Sequence, residues 1–164
     1  VERIQRVSSM SEDSQVKAIS KETPDDLAYK KALIKIIALK KSYPGIFFNS
    51  LANLRNALNW PAAYTRFFLF RDELREFPDF KPIPCYGGRA FATIDTDGKI
   101  YPCTNLIGYY DAPNVLKMDI KEAWGKIQNH GCSACFYLSS VEKNLVCSLN
   151  LGALFNLIRV KRLR

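Results

Sequence analysis

An α+β fold is predicted by three features of this 164-residue sequence. Apolar residues recur at helical spacing between positions 24 and 42, β-forming runs flank Asp97-Gly98, and four cysteines spread from Cys85 to Cys135 in an order that core packing does not require. Residues 1–79 read as a helix, turn and strand rhythm of βα units, residues 80–150 as a cysteine-bearing hairpin with helices, and residues 151–164 as a basic amphipathic helix.

With 48% apolar residues the chain is long and apolar enough to bury a sizeable core. A net charge of +8 invites phosphates, nucleic acid or an anionic membrane, but the basic residues are scattered. Only Arg159, Lys161, Arg162 and Arg164 cluster, so a solvated basic surface is the preferred reading. No stretch reaches the roughly 18 apolar residues of a membrane span, and VERIQRVSSM lacks the apolar core of a secretory signal, so a cytoplasmic chain is expected. Five cysteines without an export signal argue against a disulfide framework and for metal ligation or catalysis. The first residue is Val rather than Met, which points to a fragment.

Residues 1–7 alternate like a strand, and a polar loop follows to residue 23. Thr23 is placed to cap a helix, Pro24 suits its first turn, and Asp25 and Asp26 complement its positive end. That helix should reach Ser42, with Tyr29, Leu33, Ile36 and Ile37 inward and Lys30, Lys31, Lys35, Lys40 and Lys41 in water. Pro44-Gly45 stops it, and Ile46, Phe47 and Phe48 suit a buried strand. Asn49 or Ser50 can cap a second helix carrying Leu51, Leu54 and Leu58, ended or kinked at Pro61. A third helical segment is expected from Pro61 to Phe77, presenting Phe67, Phe68, Phe70 and Leu74 for packing between two lobes, before the proline-rich linker FPDFKPIPC.

Residues 89–96 and 99–101 then form a hairpin through a tight primed turn at Asp97-Gly98. Positive φ at Gly98 would fold Cys103 back toward Cys85, and Gly87 and Gly88 leave the chain bare enough for close approach to a bulky cluster or for an ordinary loop. Asp119 is placed to cap the next helix, with Glu122 completing a box, Ile120, Ala123, Trp124 and Ile127 buried, and Gly131 as terminator. That helix should deliver Cys132 and Cys135 as a chelating turn. His130, two residues earlier, reads as solvent-facing, with tuning of a metal site by hydrogen bonding as a minor option. SSVEKNLVCSL reads as a helix with Ser139 and Glu142 as its capping box and Cys147 as a buried thiol. In the last segment Leu154, Leu157 and Ile158 oppose Arg159, Lys161 and Arg162, a pattern that docks on its own protein or lies on an anionic membrane.

Four thiolates can hold a [4Fe-4S] cube, one per iron, or a closed tetrahedral zinc site. Only Cys132 and Cys135 form a CxxC pair, and seventeen residues separate Cys85 from Cys103, a poor match to a zinc knuckle. Iron-sulfur is therefore weighed above zinc, and both above four unrelated buried thiols.

Cys85, Gly98 and Cys103 with ATIDTDGKIYPC between them, followed by NVLKMDIKEAW and CSAC, resemble the SPASM and twitch domains of radical S-adenosylmethionine (SAM) enzymes. The resemblance covers roughly residues 80–150. It implies a β-hairpin and helix wrapped around an auxiliary [4Fe-4S] cluster ligated by Cys85, Cys103, Cys132 and Cys135, used for electron transfer or bracing near the substrate. Residues 1–79, YPGIFFNSLANL in particular, resemble the last βα units of the partial barrel of such enzymes. Cys147 stands alone where a full SPASM domain carries further cysteines, which favours the shorter twitch form. With no cysteine before Cys85, the CxxxCxxC loop that holds the SAM-cleaving cluster is missing, so the chain alone should be inactive and no residue is assigned a catalytic role. SAM and a second [4Fe-4S] cluster belong only to a full-length enzyme, whose implied partners are a reductant protein and a peptide or small-molecule substrate. The alternatives are a zinc-stabilised binding module, with nucleic acid as one ligand, and a stand-alone electron carrier.

Overall fold

The first helix, α1, spans Asp26–Ser42 in a computed structural model that describes residues 25–109 and 111–161. Asp25 rather than Thr23 caps it, its Oδ1 accepting from the Ala28 N–H at 2.8 Å. Thr23, Pro24 and the strand expected at residues 1–7 lie outside the described residues. Leu33 is buried as expected, but Lys40 is buried too, at 3% exposed. Its ammonium donates to the carbonyls of Pro44 and Phe47, both at 2.7 Å, and to Asn156 Oδ1.

Those bonds explain why Ile46-Phe47-Phe48 is a turn rather than the expected strand. Carbonyls that a sheet partner would need are taken by Lys40, and that of Phe48 by Asn156 Nδ2. Ile46 is consequently 74% exposed. Ser50 then caps α2, Leu51–Leu58, accepting from the Asn53 N–H.

Residues 61–77 do not form the expected α-helix. Phe68–Phe70 forms strand β1, and a 3-10 turn at Glu73–Glu76 follows. A four-residue apolar run carries no usable period, and the choice falls to whichever partner satisfies its backbone. That partner is remote in sequence, as described below.

The chain separates into two compact units, one built from Tyr86–Gly131 and the other from the described residues up to Cys85 together with those from Cys132 onward. In the first unit β2, Thr93–Ile94, pairs antiparallel with β3, Ile100–Tyr101. The loop differs from the expected primed turn. The Gly98 N–H donates to the Asp95 carbonyl at 2.9 Å, and Gly98 alone in the loop has positive φ, at +83°, whereas a type I′ turn needs it at Asp97 as well. After a 3-10 turn at Thr104–Leu106, helix α3 spans Ile120–Lys126. Asp119 caps it by accepting from Lys121 and Glu122 N–H groups, while the Glu122 carboxylate pairs with Lys126 at 2.7 Å. The helix ends well before Gly131, and Ile120 is 50% exposed, so the inward face is Ala123 and Ile127 buried on Ile100 with Trp124 half-buried against them.

In the second unit the return segment Cys132–Cys135 is strand β4, antiparallel to β1. Helices α4, Leu138–Cys147, and α5, Leu151–Lys161, complete it. One cluster centres on the Phe136 ring, whose centroid lies 5.1–6.0 Å from those of Tyr29, Trp60, Tyr64 and Phe67. A second joins Val141 and Leu145 of α4 to Ala153 of α5, with Ala52, Ile83 and Cys135 packed on it. Each large apolar side chain buried this way contributes about 1.5–3 kcal/mol. Both sheets are two-stranded and antiparallel, so no parallel ladder of a barrel stands among the described residues. No helix among them is long and apolar enough to cross a membrane.

Candidate metal centre

The CSAC segment is a strand and not the chelating turn expected after a long helix. In a regular strand residues three apart point to opposite faces, which would separate the two sulfurs. The register avoids this. Phe68 faces Cys135, Leu69 faces Ala134 and Phe70 faces Cys132, so Ser133 is an extra residue, a β-bulge. Phe68 and Phe70 alternate on one face, their ring centroids 5.5 Å apart, and the cysteines opposite them share that face. Leu69 and Ala134 bury themselves in the core on the other side.

Cys132 and Cys135 are both half-buried, and Asn56 Nδ2 of α2 donates to the Cys135 carbonyl at 3.1 Å, fixing the strand end. Cys85 lies two residues beyond Ile83, which packs on the same cluster as Cys135. The chain leaves this unit directly after Cys85 and rejoins it at Cys132. Three of the four sequence-predicted thiols, Cys85, Cys132 and Cys135, thus belong to one unit.

Cys103 belongs to the other. It follows β3 and Pro102, is 7% exposed and has extended backbone at the start of the Thr104–Leu106 turn. None of the five cysteines is in a disulfide. Among the described residues no three of His, Cys, Asp or Glu are gathered closely enough to hold a metal ion. The donor chemistry fits a soft centre, and the CxxC pair has the shared face that chelation needs.

Two residues close to these cysteines in sequence, both in the Tyr86–Gly131 unit, are placed as follows. His130 is half-buried rather than solvent-facing, with Nε2 donating to the Gly87 carbonyl at 3.1 Å and a buried Nδ1 without a partner. Burial pushes its pKa below the ordinary value, against the raising effect of the Gly87 bond. Gly88, at φ +73°, approaches its own unit: an added Cβ would meet the Ile127 carbonyl oxygen at 2.5 Å. The glycine therefore seats the end of α3.

Sequence reading missed the buried Glu142, expected in a capping box with Ser139. Helix α4 starts at Leu138 without any side-chain cap, and Glu142 turns inward to α2 instead. Its mid-helix apolar neighbours, Val141 and Leu145, were the available signal. Cys147 ends α4 as a half-buried thiol.

No family model, curated protein or solved structure matches the chain.

Proposed function

We propose that the chain is the auxiliary [4Fe-4S]-binding portion of a radical SAM enzyme of the SPASM/twitch kind, with Cys85, Cys103, Cys132 and Cys135 as the cluster ligands. The observation that carries this reading is the bulge at Ser133, which sets both CxxC thiols on one sheet face. A pair held in a strand beside a packed core is a preorganised bidentate ligand for a soft metal. Cys85, at the point where the chain leaves the same unit, supplies a third thiol on the backbone that returns at Cys132.

A cube held by four thiolates supplies one-electron transfer, and full cysteine ligation favours that or bracing over direct substrate binding. The partners proposed for the whole enzyme are a reductant protein and a peptide or small-molecule substrate, in a cytoplasmic setting. SAM cleavage would need a CxxxCxxC loop outside this sequence.

Anaerobic purification followed by iron and sulfide determination tests the proposal. Near-equal iron and labile sulfide with brown colour supports it, and loss of both in Cys103→Ala supports the ligand set. Zinc without sulfide would move the site to a four-thiolate structural centre, and a chain that retains neither metal would overturn the reading.

A further inference from the structure

A groove of about 1190 Å³ runs along the helical unit between the end of α1, the turn after it, the first turns of α2 and the outer side of α5. Its walls leave large apolar side chains in water. Ile46 is 74% exposed on one wall and Phe155 68% on the other, with Tyr43 and Ile158 beside them. Lys41, Arg55 and Arg159 line the same groove, all exposed and in no ion pair among the described residues, and no Asp or Glu lines it.

The walls are pre-tied. Lys40 binds the carbonyls of Pro44 and Phe47 and the Asn156 amide, and Asn156 in turn donates to the Phe48 carbonyl. Helix α5, the turn and α1 are thereby joined before any ligand arrives, which lowers the ordering cost of binding. Exposed aromatic and aliphatic anchors with unneutralised cations around them describe a surface awaiting an apolar face edged with negative charge.

We propose that this groove docks an amphipathic helix of a partner protein whose apolar face is flanked by Asp and Glu. Concavity favours a helix over a membrane, because a planar bilayer meets only the rim of a groove. A helix about 10 Å across, rising about 5.4 Å per turn, fills this volume with two to three turns. The proposal is independent of the thiols and of the function assigned to them.

The probe is a fluorescein-labelled synthetic helical peptide with Leu at i, i+3, i+4 and i+7 and Glu on either side. Its controls are the same peptide with Lys for Glu, and phosphatidylglycerol vesicles, each titrated with the full chain. The Glu peptide should bind saturably and weaken with salt, and the Lys peptide should not bind. Phe155→Asp, and separately Arg55→Glu with Arg159→Glu, should each weaken binding by about tenfold or more, with unchanged circular dichroism. Ile46→Ser on the opposite wall gives an independent readout should Phe155→Asp unfold. No binding of the Glu peptide, equal binding of the Lys peptide, or wild-type affinity in the groove variants would overturn the proposal. Vesicle binding that depends on Phe155 and Arg159 while the peptide stays unbound would replace it with a membrane site.

Discussion

The Glu142 carboxylate accepts the Ser50 backbone N–H at 2.8 Å, joining residues 92 positions apart in the sequence. The same oxygen accepts from Ser50 Oγ at 3.1 Å and Asn53 Nδ2 at 2.8 Å, and Glu142 is 3% exposed. One carboxylate on α4 therefore satisfies the start of α2, a charge-assisted arrangement that fastens the two helices. Glu142→Ala leaves those donors buried without an acceptor. It should destabilise the fold by about 3 kcal/mol in urea denaturation, with Glu142→Gln less damaging. A loss below about 0.5 kcal/mol would mean that the carboxylate is incidental to stability.

Lys40 poses the complementary test, because a cation is held among carbonyls of the turn it closes. Burial lowers its pKa, while the Glu142 charge acts against that shift. Lys40→Met keeps the stem but orphans the Pro44 and Phe47 carbonyls. About 2 kcal/mol should be lost, with faster amide exchange in residues 44–48. Unchanged exchange there would show that the turn stands without the lysine.

Tyr64 should report on alkaline unfolding. Its hydroxyl donates to the Ala57 carbonyl at 2.8 Å, and burial is the main cause that pushes its pKa to about 12. The folded value is raised above the unfolded one, so this stabilisation is complete below pH about 10 and disappears as pH rises through about 12. Burial also raises the Tyr29 pKa, so phenolate absorbance should show a late-titrating component that shrinks in Tyr64→Phe, and that variant should have a flatter stability profile in this window.

Two glycines should respond oppositely to alanine. At Gly88 the positive φ and the Ile127 carbonyl oxygen 2.5 Å from an added Cβ make Gly88→Ala destabilising by roughly 2 kcal/mol. At Gly125, inside α3, an added Cβ meets nothing within 4 Å, so Gly125→Ala should be neutral or stabilise by up to about 1 kcal/mol. Thermal denaturation of the pair distinguishes them directly.

For the thiols, Cys135→Ala should abolish iron and sulfide retention, and Cys147→Ala should leave both near the wild-type amount. Cys135 shares the bulged strand face with Cys132, whereas Cys147 ends α4, outside that strand. Equal loss in both variants would count against the proposed ligand set.

Short-range chemistry was legible in the residues themselves. Caps at Ser50 and Asp119 and the reversal at Gly98 each depend on groups within a few positions, and the structure holds all three. Likewise the apolar period of α1 announced a helix.

What the residues alone determined is thus the caps at Ser50 and Asp119 and the chain reversal at Gly98. Only the tertiary structure decided that Phe68–Phe70 is a strand, that CSAC pairs with it through a bulge, and that Glu142 and Lys40 turn inward. The physical reason is range. A cap or turn is stabilised by atoms a few residues away, whereas a short apolar run or a buried charge takes its conformation from a distant partner that no local pattern encodes.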